Sequence, residues 1–292
     1  MTVCRLIQDL PAGGAWNMAV DEVLLARVGA SGPVLRLYQW SPATLSLGFF
    51  QAHTDRKLHP PTLSCPVVRR PSGGGAILHD RELTYALVLP LNRGQTGRQE
   101  KLYFAVHKAV IRALSRWGCK AELVGVNEAK LGVGQVTTPC ERFGADRANR
   151  ENCLPRETLG CGAELAADVS ALAHAREGSK EPFMCFARRS CGDVVIGPHK
   201  IAGSAQRRVA SGILQHGSIL LGQSPYAPEF PGVCELLGRE IPAEELAQAF
   251  VQEIAEALGV TFVTGQMTES ELSQARQLVA AKYGNPSWTQ RR

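Results

Sequence analysis

Cys185, Lys200 and His216 fall in one stretch, CFARRSCGDVVIGPHKIAGSAQRRVASGILQHGSILL, which runs from Cys185 to Leu221. A thiol is a competent nucleophile when a nearby cation favours its thiolate. Lys200 is the candidate cation, because the irregular segment before it could fold back and bring Cys185 to the ammonium. Each residue also has a plainer account. Cys185 could be a small buried apolar side chain, Lys200 an exposed strand residue, and His216 a histidine satisfied in the core. Cys191 is a rival nucleophile that spacing alone does not exclude.

A second cluster lies between two apolar runs, in VVRRPSGGGAILHDRELTYALVLP. Gly73, Gly74 and Gly75 permit positive φ and close approach of backbone to a ligand. Free amides in such a loop could cradle an anion or a carbonyl oxygen. Arg69 and Arg70 beside it could hold a phosphate or carboxylate. Glycine runs also serve hairpins, so His79-Asp80 directly after the loop is what marks it as a site. The two stretches together suggest the floor and one wall of a single pocket.

These groups need rigid elements to position them. Residues 200–206 and 212–220 alternate as strands do, and the basic pair Arg207-Arg208 reads as the turn joining them. Strands are also expected at 3–7, 34–39, 44–48, 67–68, 83–89 and 121–126, with a short helical link at 51–57. A helix is expected at 15–28, where Asn17, Asp21 and Glu22 supply a polar start and serve solubility and the helix dipole. Residues 99–117 form an amphipathic helix, with Tyr103, Val106, Val110, Leu114 and Trp117 as its core stripe. The C-terminal part, 240–284, reads as helical, with helices at 242–258 and from Thr268 through Val279. Trp288 is expected to pack on the domain. Residues 127–182 lack sustained periodicity and read as a mobile insertion leading into Cys185.

At 292 residues and 45% hydrophobic, the chain can bury a sizeable core in one domain. No apolar run approaches a membrane span. The nine cysteines are scattered without close pairs, which fits a reducing cytoplasm better than a disulfide framework. Cys140, Cys153 and Cys161 share an irregular region but match no zinc spacing, so no metal is expected. A net charge of +5 suits transient docking of acidic protein partners more than nucleic-acid binding.

Several motifs in order resemble one family. RRPSGGGAILHD is similar to the RR-x-[ST]-GG-x-x-x-x-HD loop of the lipoate ligase and octanoyltransferase superfamily, matching at Arg69, Arg70, Ser72, Gly73, Gly74, His79 and Asp80. KIAGSAQRR and LQHGSILL resemble its K-[IV]-[AS]-GSAQ and HGS-[IL]-L segments, at Lys200, Gly203, Ser204, Ala205, Gln206, His216 and Gly217. WNMAVDEVLL and LRLYQWSPATLSLGFFQ resemble its N-terminal portion. Cys185-Phe186 ahead of the lysine strand is most similar to octanoyltransferases of the LipM type.

The resemblance implies an α+β fold like that of biotin and lipoate protein ligases, with mixed central sheets flanked by helices in a single catalytic domain. It implies that Cys185 takes an octanoyl group from acyl carrier protein as a thioester. The group then passes to a lysine of a lipoyl-domain protein such as glycine cleavage H protein. Lys200 would activate the thiol and steady the developing oxyanion, while the glycine loop and His79 line the acyl tunnel. It implies neither a metal nor a dissociable cofactor. An ATP-dependent lipoate–protein ligase, an amidotransferase moving lipoyl or octanoyl groups between proteins, and a non-catalytic acyl- or protein-binding relative are the other readings.

Overall fold

The computed structural model describes residues 2–91, 98–126 and 181–292. The chain divides into one unit of Met1–Val126 with Pro182–Arg292 and a second of Asn127–Glu181. The expected insertion at 127–182 falls almost wholly outside the described residues. The first unit begins with β1 (Thr2–Gln8), α1 (Gly14–Ser31), β2 (Val34–Tyr38), β3 (Thr44–Leu47), β4 (Val67–Arg69), β5 (Ile77–His79) and β6 (Glu82–Pro90). Next come α2 (Arg98–Ser115), β7 (Glu122–Leu123), β8 (Val194–Ile196), β9 (His199–Val209) and β10 (Gly212–Leu220). The chain ends with α3 (Val233–Leu237), α4 (Ala243–Leu258), β11 (Val260–Thr264), α5 (Glu269–Leu278) and α6 (Pro286–Thr289).

The strands form a mixed eight-stranded sheet, ordered β11-β1-β2-β6-β10-β9-β8-β7, and a three-stranded sheet, β4-β3-β5. Alternation sorts the side chains of the central strands to two faces. Leu83, Tyr85, Leu87, Ile213 and Ile219 join a core with Val106 and Val110 of α2 and with Leu246 and Phe250 of α4. Ala86, Val88 and Leu214 instead face Met18, Val20 and Leu24 of α1, with Ala275 of α5 behind them. A third cluster closes the small sheet: Leu45, Leu47, Ala76 and Leu78 pack on Phe183 and Met184, the residues just before Cys185. No helix among the described residues is long and apolar enough to cross a membrane.

The strand pair around Lys200 and His216 forms as expected, with one correction. β9 does not turn at Arg207-Arg208; it continues to Val209, which pairs with Gly212, so the turn is at Ala210 and Ser211. The expected strand at 121–126 is only two residues long. Three strands went unread. β5 (Ile77–His79) follows the glycine loop in a stretch read as loop. β8, before Lys200, is too short to show alternation. β11 interrupts the C-terminal region expected to be helical, pairing in parallel with β1. Its residues are half-buried or exposed at the sheet edge, so the strand comes from pairing rather than from an apolar pattern.

Asn17 and Asp21 are also corrected: neither is a solvated cap. Both are fully buried and bind the wholly buried Arg36 of β2. Arg36 Nη1 donates to Asp21 Oδ1 at 2.9 Å, Nη2 to Asn17 Oδ1 at 2.9 Å, and Nε to Asp9 Oδ2 at 2.6 Å. A buried guanidinium requires such partners, and here they tie α1 to the sheet. Glu22 reaches the other end of the chain, pairing with Lys282 Nζ at 2.6 Å.

Candidate active site

Strand register builds the pocket floor. Tyr38 on β2, Thr84 on β6, Ser218 on β10 and Gly203 on β9 are lateral neighbours. The next row is Arg36, Ala86, His216 and Ala205. Above these rows lies a partly open cavity with mainly apolar walls, about 450 Å³ counting the space open to solvent. Met18 and Trp40 wall it from the α1 side, Gly73, Gly74, Ile77 and His79 from the small sheet, and Cys185 stands in its lining beside Gly203.

Cys185 is held by the glycine loop. Ala76 N donates to Phe183 O at 2.9 Å, and Cys185 N donates to Ala76 O at 2.7 Å, a two-bond parallel bridge. A Cβ on Gly75 would lie 3.0 Å from Cys185 N, so a side chain there would push the cysteine segment away. Cys185 itself sits in a single 3-10 turn, Cys185–Ala187, and is partly exposed. Lys200 Nζ lies 3.6 Å from Cys185 Sγ, 3.4 Å from Cys185 O and 2.8 Å from Asp193 Oδ2. The fold thus joins the two residues the sequence paired and adds a carboxylate. Cys191, the rival thiol, packs near Gly125 and is not among the pocket-lining residues. The other described cysteines, Cys4, Cys65, Cys119 and Cys234, are buried, and burial raises each thiol's pKa, that of Cys4 to about 12.

The arginine pair is largely taken up by the loop itself. Arg69 is fully buried and donates to the carbonyls of Gly48, Phe49, Gln51 and Thr289. Arg70 donates to the carbonyls of Ser46, Gly73 and Gly75, and burial lowers its guanidinium to about 10. Both knot the loop; Arg69 spends all three nitrogens on it, while Arg70 also lines the cavity and its buried Nε has no hydrogen-bond partner among the described residues. Trp288 packs as expected and donates its indole N–H to Arg69 O at 2.9 Å. Gln206 also lies away from the cavity lining, with its amide on Gln99 O and Gln215 Oε1.

The two pocket histidines face carboxylates. His216 Nε2 meets Ser72 Oγ at 2.5 Å, and its Nδ1 faces Asp21 Oδ2 at 3.3 Å. A carboxylate only accepts, so Nδ1 carries a proton toward Asp21. His79 bridges Glu82 Oε1 at 2.6 Å and Ser46 Oγ at 2.7 Å, with Trp40 stacked on its ring at 3.8 Å. Behind the floor, His107 of α2 donates from Nδ1 to Gly192 O at 2.6 Å and accepts at Nε2 from Ser204. Ser204 in turn meets Tyr85 OH at 2.6 Å.

Asp193, His107 and the hydroxyl of Tyr103 were missed in the sequence. Tyr103 does stand on the core side of α2, but its hydroxyl donates to Asp193 Oδ1 at 3.2 Å. Tyr103 and His107 are four residues apart, hence on one helix face. That polar pair within an apolar stripe was the available signal.

Two family models match the chain: "Lipoyl protein ligase A/B catalytic domain" at residues 14–146 and "Biotin/lipoate A/B protein ligase family" at 157–224. Octanoyltransferase LipM of Kyrpidia tusciae is 32% identical over 319 residues, covering 100% of both chains. The chain belongs to the LipM octanoyltransferase family. Octanoyltransferase LipM of Symbiobacterium thermophilum is likewise 32% identical, over 99% of this chain and 98% of its own. Two solved structures share the fold of this LipM-family chain. Lipoate-protein ligase A bound with ATP matches with a TM-score of 0.64 at 19% identity, over 99% of both chains. A bi-partite lipoate protein ligase from Thermoplasma acidophilum matches with a TM-score of 0.66 at 18% identity, over 99% of this chain and 97% of that one. The α+β ligase-like architecture expected from the motifs is therefore the one present.

Two predictions concern this LipM-family site. A Cβ on Gly203 would lie 2.7 Å from Lys200 Cε and 3.0 Å from Nζ. Gly203→Ala is therefore expected to displace the ammonium and cut acyl transfer at least ~10-fold with little loss of stability, because a misplaced catalytic group costs rate steeply. Activity and melting temperature, measured together, check it; full activity would mean that Lys200 tolerates the displacement.

Burial lowers the pKa of His107 to about 4. The unfolded chain then binds more protons than the folded one between roughly pH 6.5 and 4. The contribution is whole above pH 6.5 and is lost as pH falls through 4. The wild type is expected to lose about 2 kcal/mol from this group between pH 7.5 and 5, and His107→Gln to lack that component. Urea unfolding at the two pH values reads the difference.

Proposed function

We propose that the protein moves an octanoyl group from acyl carrier protein to the acceptor lysine of a lipoyl-domain protein, through a thioester on Cys185. The observation that carries this reading is a partly exposed thiol 3.6 Å from a buried ammonium, in the lining of a mainly apolar pocket. In the first half-reaction the Cys185 thiolate attacks the octanoyl thioester carbonyl. A new C–S bond forms, the carrier's C–S bond breaks, and the carrier sulfur leaves as thiolate, taking up the proton that the Cys185 thiol gave up. In the second, the acceptor lysine amine attacks the Cys185 thioester. The amide forms, the sulfur departs as thiolate, and it regains a proton from the attacking amine.

Lys200 supports both steps by facing the sulfur and the negative charge that develops beside it. The amide N–H of Cys185 is committed to Ala76 O, so it does not serve the oxyanion. The strand floor is long enough to carry the acyl group. An extended eight-carbon chain is roughly 9 Å long from bonds of about 1.5 Å, and four strands about 4.8 Å apart offer a floor of about 14 Å. Burying its apolar carbons gains about 5 kcal/mol, enough to select an acyl chain over a polar cargo. A lipoyl domain is the acceptor class, and glycine cleavage H protein is the proposed member.

The test offers a purified lipoyl domain two donors. With octanoyl carrier protein and no ATP, mass spectrometry of the acceptor is expected to show one octanoyl group. With free lipoate and ATP, no modification is expected. The reverse pattern would make the protein a ligase.

A further inference from the structure

The proposed chemistry needs the Lys200 ammonium at the sulfur, yet a lysine side chain has enough torsions to place it in many other spots. The side chains of Lys200 and Asp193 are each only 3% exposed, and their 2.8 Å contact is the shortest that the ammonium makes. Asp193 is anchored in turn. Ser190 N donates to its Oδ2 at 2.7 Å and Tyr103 OH to its Oδ1 at 3.2 Å, while Asp193 N donates to Ser190 O at 3.0 Å. Gly192 N donates to Val124 O at 2.8 Å, and Val124 N to Asp193 O at 2.9 Å, fastening the turn to the residue that follows β7. Gly192 adopts φ +85°, and a Cβ there would lie 2.9 Å from the rings of Tyr103 and Phe104, so only glycine lets α2 close on this turn. The carboxylate is thus a fixed point. From it, the lysine folds over the bare Cα of Gly203 toward Cys185.

We infer that Asp193 is a positioning residue that acts on Cys185 through Lys200, by holding the ammonium at the thiol. The inference rests on Cys185 being the reacting thiol of the proposed transfer. Its charge alone would work the other way, since a carboxylate near a thiol disfavours thiolate. Positioning therefore predicts slower thiol chemistry on removing the carboxylate, and a purely electrostatic influence predicts faster.

The experiment is the rate of Cys185 alkylation by iodoacetamide at pH 7.5 in the full-length protein, followed by peptide mapping. Asp193→Asn retains the shape and an acceptor for Ser190 N. It is expected to slow alkylation about tenfold, with partial recovery in Asp193→Glu. Lys200→Met is expected to slow it similarly, and adding Asp193→Asn to Lys200→Met to change it less than twofold. Tyr103→Phe, which frees one anchor and leaves every charge, is expected to slow it about threefold, and serves if Asp193→Asn does not fold. The inference is overturned if Asp193→Asn alkylates at or above the wild-type rate. It is also overturned if that substitution slows the Lys200→Met protein by the same factor as the wild type. Alkylation requires no acyl donor. A wild type that forms no octanoyl adduct would therefore sink the thioester reading while the alkylation rates still decide the role of Asp193.

Discussion

Incubated with octanoyl carrier protein and no ATP, the wild-type protein is expected to gain one octanoyl group that hydroxylamine removes. A thioester intermediate splits the transfer into two half-reactions, so the first proceeds without the acceptor. Intact-mass spectrometry counts the groups, and peptide mapping is expected to place the one group on Cys185 and not on Cys191. The structure supplies the reason for that choice: both thiols are partly exposed, but Cys185 lines the pocket beside Lys200. Cys185→Ser is expected to lose turnover by ~10³-fold or more, since a hydroxyl in the same place stays protonated near neutral pH and the remaining machinery has no nucleophile to serve. The side chains are close in size, so the melting temperature should hardly move. Turnover in Cys185→Ser near that of the wild type, or an adduct mapped elsewhere, would end the Cys185 mechanism.

Lys200→Ala is expected to lower acyl transfer by about 10²–10³-fold, the usual cost of deleting one donor aimed at developing charge. It also leaves Asp193 buried without its cation, so stability falls by a few kcal/mol, roughly the cost of halving a buried pair. Lys200→Arg keeps the charge and separates the two effects. A planar guanidinium does not replace a compact ammonium folded over Gly203. Lys200→Arg is expected to recover stability in part while retaining less than about a tenth of the activity, a loss that misplacement by ~1 Å suffices to cause. Turnover of both purified variants with octanoyl carrier protein, beside their urea midpoints, decides the matter. Near-normal rates in both would remove Lys200 from the mechanism.

Much of this site was legible in the chain. Alternation in the two runs around Lys200 and His216 located the central strand pair, and the glycine run marked a place where backbone must come close. Apolar spacing and a glycine after the last turn located α4, whose chain leaves through Gly259 at φ 62°. The turn at 207–208 was misplaced because two arginines look like solvent-exposed turn residues. In the structure Arg207 lies half-buried along β9, its guanidinium donating to Pro71 O at 2.8 Å on the glycine loop. Arg69 was read as a ligand donor for a related reason. A sequence shows that an arginine has five donors, but not that buried carbonyls from separate segments will take them.

Local pattern by itself determined most of the longer elements, the two motif stretches and a short list that contains the Cys185–Lys200 pair. It could do so because alternation, helical spacing and glycine tolerance are properties of neighbouring residues. The placement of Cys185 rather than Cys191 in the pocket lining, the pairing of Asp193 with Lys200, and the burial of Asn17 and Asp21 around Arg36 came only from the tertiary structure. Each depends on groups far apart in the chain. The bridge from Ala76 to the residues around Cys185 orients the thiol, and the register of four strands lays the pocket floor beside it. A pairing register is set by how whole faces bury against one another, and no single stretch of the chain carries that information.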